Sequence, residues 1–432
     1  MRLIILNVIC SLPITTLMKN KRWILLLTLL GLLGSCASDQ NTAPSLTTGR
    51  WRFVLELKPG VELPFIAEVG GEAGAYTMLI YNAEERLPVE EIRQQGDSVF
   101  IQAAVFDSEF KGKLQANGQL TGLWYDYSRG PDYRIPFTAT PGEAPRFRQD
   151  KKLAPIQLAP RYAMGFSVGT PDAFPAIGVF EQGKQGYLTG TILTETGDYR
   201  YLDGLVRQKQ VHLSAFDGSH AYLFTGEAHG DTLRGTFYSG SHWEEPWMAV
   251  PSETAQLRDP DELTYLKEGY DAIEFSFPNP EGEMVSLSDE RYDDKVVIVQ
   301  LLGSWCPNCM DETRLFADWH EQYHEEGLEI IGLAFERAKE PEQAWENIAR
   351  MKESLGVNYE ILLAANSSSK SVASDALPML NQVMSFPTSI YIDRQGRIRK
   401  IHTGFYGPGT GAPYERFVEQ YSDFIQKMLK GE

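Results

Sequence analysis

Cysteine, positive charge and long apolar runs are all scarce in this chain. Only four of its 432 residues are cysteine, which excludes a fold held together by many disulfides. Forty lysines and arginines stand against 58 aspartates and glutamates, with no long basic run, which argues against nucleic acid as a partner. No apolar run approaches the roughly 20 residues of a membrane-spanning helix. The hydrophobic fraction of 43% still allows packed cores, and the length suggests two to four domains.

The first 36 residues show the order of parts that is typical of an export signal. Basic residues at 19–22 precede an apolar run of 11 residues, and Leu-Gly-Ser-Cys follows at once and ends at Cys36. This order resembles a bacterial lipoprotein signal, which implies removal of residues 1–35 and lipidation of Cys36. Met18 directly precedes the basic cluster and is predicted to be the true start. An uncleaved anchor helix is the alternative.

A lipoprotein of this kind implies a location in the envelope of a Gram-negative cell, facing the periplasm, at either the inner or the outer membrane. Residues 36–48 are then expected to form a lipidated tether. If Cys10 precedes the true start and Cys36 carries lipid, the two remaining thiols are Cys306 and Cys309. The one possible disulfide is therefore local, and we predict that it is catalytic.

Residues 49–252 are predicted to form an antiparallel all-β region, either a sheet or a barrel. Apolar and polar residues alternate over Arg50–Leu57, turn signals such as Asn-Gly and Asp-Gly recur, and helical periodicity is almost absent. The pattern Leu-x-Gly-x-aromatic-Tyr begins at Leu120 and again at Leu233, 113 residues later. Such self-similarity predicts two related units within one sheet or barrel.

The two expected units span about residues 50–140 and 161–251. A packed scaffold, a ligand-holding barrel and a docking surface are three open interpretations, since aromatic residues such as Trp124 suit a core as well as a pocket. After this region, an aspartate followed by Pro260 suits the start of a helix. We therefore predict a linker helix within residues 253–270.

Residues 271–432 switch to apolar strands that alternate with helices. Lys295–Leu302 is a near-continuous apolar run, typical of a buried parallel strand, and a helix is predicted from Pro307 to about Glu325. The later predicted strands and helices are Leu328–Phe335, Glu342–Leu355, Tyr359–Leu363, Ser389–Asp393, Arg397–His402 and Tyr414–Leu429. This alternation, closed by a hairpin and a helix, predicts an α/β sandwich.

A short motif indicates where the chemistry lies. The predicted strand leads into Gly-Ser-Trp-Cys-Pro-Asn-Cys, which contains Cys306 and Cys309, and then into a helix. Together with Ser-Phe-Pro-Thr at Pro387 and the entry segment Phe277–Ser288, this resembles the TlpA/ResA-type thioredoxin-like disulfide reductases over about residues 270–432. A zinc ribbon also uses Cys-x-x-Cys, but it needs a second cysteine pair, which the sequence lacks.

The resemblance implies a redox-active disulfide, Cys306–Cys309, and a role for each sulfur. Cys306, at a helix start, would attack a client disulfide as a thiolate, and Cys309 would resolve the mixed disulfide. Glu312 matches a family position whose carboxylate assists deprotonation of Cys309, although a helix-surface glutamate is the alternative. Glu336 is a further candidate to face the site. The expected supporting residues are Trp305, Pro307, Asn308, Phe386 and a cis-Pro387.

A second motif, His-Glu-x-x-His at 320–324, matches the zincin metallopeptidase signature. It lies at the far end of the helix that carries Cys309, and no third ligand follows it in a zincin context. We interpret it as a solvated helix face, and we expect neither a metal nor another cofactor.

The sequence therefore predicts a membrane-anchored, periplasm-facing protein-disulfide oxidoreductase, with reduction favoured. The expected partners are disulfide-containing envelope proteins and a membrane thiol–disulfide electron donor. Apocytochrome c is a frequent client of the family, yet no residue here points to haem. A disulfide oxidase or isomerase on the same fold stays open because the motif does not fix redox direction. A non-catalytic binding module built on the β-rich region stays open as well.

Overall fold

An eight-stranded barrel, barrel 1, opens the part of the chain that the computed structural model describes, which comprises residues 45–148 and 155–432. Each strand pairs antiparallel with the next, and the first pairs with the eighth to close the ring. The strands are β1 (Gly49–Lys58), β2 (Val61–Glu72), β3 (Ala75–Asn82), β4 (Glu85–Gln95), β5 (Ser98–Ala103), β6 (Ser108–Leu114), β7 (Leu120–Asp126) and β8 (Arg134–Pro141).

A second closed barrel, barrel 2, follows with the same up-and-down order. One extra strand, β12, pairs only with β11 and lies outside the ring. The strands are β9 (Arg161–Phe166), β10 (Phe174–Gln182), β11 (Tyr187–Thr194), β12 (Gly197–Asp198), β13 (Leu202–Arg207), β14 (Gln210–Phe216), β15 (Ala221–His229), β16 (Thr232–Ser239) and β17 (Trp243–Pro251). The predicted all-β class is confirmed, but each unit closes on itself, so the expectation of one common sheet or barrel is wrong.

The internal sequence repeat falls on equivalent strands of the two barrels. Leu120 begins β7 and Leu233 lies in β16, and each of these strands is the seventh in its ring. The two barrels are separate because the alternating apolar residues of each unit face its own interior. Their cores are accordingly distinct, apart from the β14–β15 turn of barrel 2, which packs into barrel 1.

Phe216 makes this connection between the barrels. Its ring is fully buried and stacks on Phe65 of β2, with the ring centroids 4.5 Å apart. The Asn82 side chain donates to the Phe216 carbonyl at 2.9 Å and accepts from the Phe216 N–H at 3.2 Å. A large apolar side chain and two buried hydrogen bonds thus fix one barrel against the other.

The expected tether at residues 36–48 and the expected linker helix at residues 253–270 both differ from the prediction. Leu46 is buried in the core of barrel 1, so the last residues of the expected 36–48 tether are part of the fold. The linker helix within 253–270 does not form. The Asn381 side chain instead accepts from the Tyr265 N–H at 2.9 Å and donates to the Leu263 carbonyl at 3.1 Å. These tertiary hydrogen bonds take the place of the intrahelical ones.

The α/β part has a five-stranded sheet in the order β22-β21-β20-β23-β24, with β20 central. Strands β20, β21 and β22 run parallel, with β22 at one edge of the sheet, and β23 is antiparallel to β20. Its elements are β18 (Ser276–Pro278), β19 (Met284–Ser286), β20 (Val296–Leu302), α1 (Pro307–Tyr323), β21 (Leu328–Phe335), α2 (Pro341–Leu355), β22 (Glu360–Ala365), α3 (Lys370–Ala376), β23 (Thr388–Ile392), β24 (Ile398–Thr403) and α4 (Ala412–Leu429). The thioredoxin-like class is confirmed.

None of the helices in the described part of the chain combines the length and the apolar character needed to cross a bilayer. Cys10, Met18, Cys36 and the apolar run that precedes Cys36 lie outside the described residues. The predicted signal, its cleavage and the lipidation therefore stay predictions.

Candidate active site

The two cysteines lie at the junction of the central strand and the first helix. All of β20 is buried, so the strand delivers the motif to its carboxyl end within the core. Cys306 caps α1 in an extended conformation, with Pro307 as the first helical residue. The structure joins Cys306 to Cys309 by a disulfide, and the Cys309 N–H points at the Cys306 sulfur at 3.2 Å.

This placement favours a thiolate at Cys306 once the disulfide is reduced. The free N–H groups and the positive end of the helix dipole stabilise negative charge at the capping position. Cys306 is only 5% exposed, and Cys309 is not exposed at all. Cys306 is thus the sulfur that a reaction partner reaches first.

The predicted cis-proline lies beside the disulfide. The Phe386–Pro387 peptide bond is cis, and the Phe386 carbonyl oxygen is 3.4 Å from the Cys306 sulfur. The Trp305 ring meets the Phe386 ring edge-on, with centroids 5.8 Å apart, and its N–H donates to the Phe335 carbonyl at 2.9 Å. Trp305 is therefore held as one wall of the site.

Arg337 connects barrel 1 to the Trp305 side of the site. The Arg337 guanidinium stacks 4.0 Å from the Trp305 ring centroid, and its Nη1 lies 3.4 Å from the Ser128 hydroxyl of barrel 1. Burial lowers the pKa of Arg337 to about 10, with a further lowering from Arg129. The arginine stays charged near neutral pH and extends the aromatic wall toward the barrel.

Glu312 is a buried carboxyl and not a surface glutamate. Its two oxygens accept hydrogen bonds from the Gln300 amide and the Ser389 hydroxyl, each at 2.8 Å. Burial raises the pKa of Glu312 to about 8, while the two hydrogen bonds oppose that rise. At neutral pH the group holds a proton that it can release over a narrow pH range, as a proton-transfer role requires.

Glu336 has a supporting position. Its carboxylate accepts from the Ser304 N–H at 2.8 Å and from the Ser304 hydroxyl at 2.7 Å. Ser304 lies two residues before Cys306 in the strand-to-helix turn. Glu336 therefore holds that turn through Ser304.

Barrel 2 covers another side of the site with residues 194–201, which we call the cover segment. The Asn308 amide, from between the two cysteines, donates to the Asp198 carboxylate at 3.3 Å and to the Phe405 carbonyl at 3.0 Å. The Ser385 hydroxyl, next to Phe386, donates to the Thr196 carbonyl at 2.9 Å. The cover segment thus touches both the Cys-x-x-Cys turn and the cis-proline loop.

Two charged residues hold the cover segment in place. The Asp198 carboxylate accepts from the Gly407 N–H at 2.7 Å, and burial raises the pKa of Asp198 to about 6. Arg200 donates to Asp311 of α1 at 2.8 Å and to Glu85 of barrel 1 at 2.6 Å. Sequence reasoning missed both residues, because each acts on partners more than 100 positions away and lies in no motif.

The structure thus brings together Trp305, Cys306, Pro307, Asn308, Cys309, Phe386 and Pro387, with Glu312 buried behind them. The histidine motif lies at the opposite end of α1, as expected. The solvated face that was expected there is wrong for His320, which is only 7% exposed because it packs against Asn358 and Tyr359.

Comparison with known proteins agrees with this geometry. Residues 269–401 match the model of the AhpC/TSA family. The thiol-disulfide oxidoreductase ResA of Halalkalibacterium halodurans is 27% identical over 160 residues, which are 37% of this chain and 77% of that protein. ResA of Bacillus subtilis is 26% identical over 139 residues, covering 32% and 69%. A thiol:disulfide interchange protein of Chlorobium tepidum shares 18% identity at a TM-score of 0.28, covering 40% of this chain and 99% of that structure.

These matches support thiol–disulfide oxidoreductase chemistry at the Cys306–Cys309 pair. Residues 269–401 therefore form a thioredoxin-like domain that matches the AhpC/TSA family model and is similar to the ResA thiol-disulfide oxidoreductases.

Proposed function

We propose that this protein reduces disulfides of other envelope proteins through the Cys306–Cys309 dithiol. One observation carries the proposal: a helix-capping cysteine lies in a buried disulfide beside a cis-proline, with an aromatic wall next to it. The reductive direction rests on the resemblance to TlpA/ResA-type reductases.

The reaction takes two thiol–disulfide exchanges. The Cys306 thiolate attacks one sulfur of the client disulfide, forms a mixed disulfide and releases the other client sulfur as a thiolate. The Cys309 thiolate then attacks the Cys306 sulfur, forms the internal disulfide and releases the second client thiolate. Two electrons pass from the protein to the client, so a membrane dithiol donor must reduce the pair again before the next cycle.

Glu312 would handle the proton of the second exchange. Cys309 is fully buried, and burial disfavours its thiolate. Glu312 follows Cys309 by one helical turn, and its raised pKa is close to the usual thiol value of about 8.5, so the molecules in which Glu312 is ionised can accept the Cys309 proton. The Gln300 and Ser389 hydrogen bonds hold the carboxyl in that position.

The reduction potential of the pair tests the direction. The soluble chain from Ala37 is equilibrated with glutathione or dithiothreitol buffers, and the fraction of disulfide is measured. A value near about −270 mV or below supports a reductase that is fed by a membrane donor. A value near about −120 mV marks an oxidant and overturns the direction. Absence of a reversible couple would leave the binding-module alternative.

Trapping identifies the client class. A Cys309→Ser variant keeps the attacking sulfur but lacks the resolving one, so it should accumulate mixed disulfides with envelope proteins. The matched Cys306→Ser variant should trap none. Equal trapping by both variants would contradict the assigned order of attack.

We further propose that lipid on Cys36 anchors the protein to a membrane facing the periplasm. The order of basic, apolar and Leu-Gly-Ser-Cys parts supports this. The full chain, expressed in a Gram-negative cell with labelled palmitate, should carry label that a Cys36→Ser variant loses. Equal labelling of the two would contradict the anchor.

A further inference from the structure

Two histidines and one glutamate converge at the far end of α1. His320 and His324 are one turn apart on the helix, and Glu329 lies on β21, which follows directly. One ligand atom from each residue lies within 4.8 Å of the others. We propose that these three residues bind a divalent transition-metal ion of the Zn²⁺ type. The inference is independent of the redox function.

The distances between the three side chains are compatible with a shared metal ion. His320 Nε2 is 3.8 Å from Glu329 Oε2, and His324 Nδ1 is 3.4 Å from Glu329 Oε1. Tetrahedral ligands that are about 2.0–2.1 Å from Zn²⁺ lie about 3.4 Å from one another. Each carboxylate oxygen therefore faces one imidazole nitrogen at close to the spacing that a shared ion would set.

A partner behind the site orients His320. Asn358 Oδ1 lies 3.1 Å from His320 Nδ1. An amide oxygen only accepts, so in this arrangement Nδ1 donates to Asn358, and the Nε2 atom of the neutral ring, on the Glu329 side, is the one available to bind a metal. Metal-binding histidines characteristically have such a second hydrogen bond.

The surroundings favour a cation that can be reached from solvent. The three ligands line an open cleft of about 570 Å³. Three further acidic residues line it as well: Glu321, Glu325 and Glu360. The cations are Arg291, which pairs with Glu360 at 3.0 Å, and Lys295, which is 3.9 Å from Glu329. Four carboxylates thus line the cleft, and each of the two nearby cations is paired with one of them, Arg291 with Glu360 and Lys295 with Glu329.

The third proposed ligand does not belong to the sequence motif. In the sequence, Glu329 has no zincin spacing, and it approaches the histidines only because β21 runs back alongside α1. His320 follows Cys309 by 11 residues, or about 16 Å along a helix. The proposed ion is therefore remote from the disulfide, and it would fasten the end of α1 to the central sheet.

Zinc binding by the oxidised full chain tests the proposal, since the intact disulfide leaves Cys306 and Cys309 unable to bind metal. Equilibrium dialysis followed by metal analysis should show one saturable Zn²⁺ per chain. His324→Gln and Glu329→Gln should each weaken binding at least tenfold. His324 is 47% exposed, so its replacement leaves the fold in place. The matched control is His229→Gln, which removes an exposed imidazole from barrel 2 and should bind as wild type does.

A second readout follows the ligands directly. Co²⁺ added to the same oxidised chain should produce the visible absorption of a tetrahedral site, and His324→Gln should lose that absorption. No saturable Zn²⁺ binding by the wild type, or equal binding by His324→Gln and His229→Gln, would overturn the proposal and leave the cluster as a set of ion pairs.

Discussion

At the scale of single residues, Glu312 has a pKa far above the usual value for a glutamate. Its carboxyl is fully buried between Gln300 and Ser389, and burial raises the pKa to about 8 from a usual 4.5. The folded protein therefore binds a proton there that the unfolded chain releases. Folding stability depends on that proton, and in the proposed mechanism the resolving exchange depends on it as well.

We expect the folded state to lose stability as pH rises. The contribution of Glu312 is fully present below about pH 4.5 and is lost progressively as pH rises to about 8, because the raised pKa makes the folded state bind more protons. The loss is on the order of a few kcal/mol, since one pKa unit is worth about 1.4 kcal/mol. Urea unfolding of the oxidised chain between pH 5 and 8 measures it. Glu312→Gln should flatten the profile, whereas Glu415→Gln, at an exposed position, should not.

Glu312→Gln should also slow the resolving exchange. A positioned proton acceptor typically contributes a factor of about 10²–10⁴, so the variant should accumulate mixed disulfide during a single turnover with insulin at pH 7. Raising the pH should recover part of the rate, because Cys309 then deprotonates without help. A normal rate at pH 7 would remove Glu312 from the proposed mechanism.

The local motif predicted residues of one segment, and the distant Phe386 and Pro387 were predicted only through the resemblance to a family. Cys306, Cys309 and Glu312 lie on one helix start, so spacing alone places them together. Asp198 and Arg200 reach the site by the folding of barrel 2, and no periodicity or motif records such a contact. They became visible only when long-range packing was known.

At the scale of elements, paired glycines are the feature that the two barrels share. Gly112 faces Gly122 across β6 and β7, and Gly226 faces Gly235 across β15 and β16. A Cβ on Gly122 would overlap the Lys111 carbonyl oxygen, and one on Gly235 would overlap the Thr225 carbonyl oxygen. The glycine of the repeated Leu-x-Gly pattern is therefore needed for the two paired strands to lie this close together.

Gly122→Ala should destabilise barrel 1 by about 1–3 kcal/mol, the usual cost of overpacking. The control is Gly183→Ala in barrel 2, where the nearest atom is 3.7 Å from the added Cβ. Thermal unfolding of both variants measures the difference. Equal midpoints for the two would contradict a steric role for the pair.

The positions of strands and helices were easier to predict than the closure of the strands into two barrels. Alternation correctly indicated strands such as β1, and continuous apolar runs correctly indicated β20 and β21. Closure of two separate rings depends on which strand pairs with which, and a repeat pattern does not specify that. The linker helix failed for a similar reason, since Asn381 pairs with Leu263 and Tyr265 over more than 100 positions.

At the scale of the whole molecule, Arg200 joins all three parts. It lies in barrel 2, it pairs with Glu85 of barrel 1 and Asp311 of α1, and it is 3.8 Å from Asp217. Burial lowers the pKa of Arg200, but the three acids raise it well above its usual value, so the guanidinium is permanently charged. A buried charge with several partners acts as a fixed junction between domains.

Arg200→Met should destabilise the protein by about 3–5 kcal/mol, because it leaves buried carboxylates without a counter-charge. We expect calorimetry to show separated unfolding transitions where the wild type shows coupled ones. Arg258→Met, which removes an exposed pair with Glu195, should have little effect. An unchanged calorimetric profile for Arg200→Met would mean that the domains are joined elsewhere.

The cover segment should limit access to the disulfide by size. Asp198→Ala removes contacts to Asn308 and Gly407, so the reduced enzyme should act faster on insulin, about fivefold if one hydrogen bond of about 1 kcal/mol holds the cover. Its rate with glutathione disulfide should change little. Glu195→Ala is the matched control. Equal acceleration of both substrates would contradict restriction by size.

The closure of the two barrels limits the ways in which they could bind another protein chain. A strand that binds by backbone pairing needs a free edge, and the closed rings of both barrels have none. Among the described strands of the two barrels, only β12 keeps an unpaired side, and it is two residues long. In the five-stranded sheet the outer strands are β22 and β24. Any recognition of another protein by the barrels would therefore use loops and side chains, whereas the α/β part keeps edge strands that a sheet extension could use.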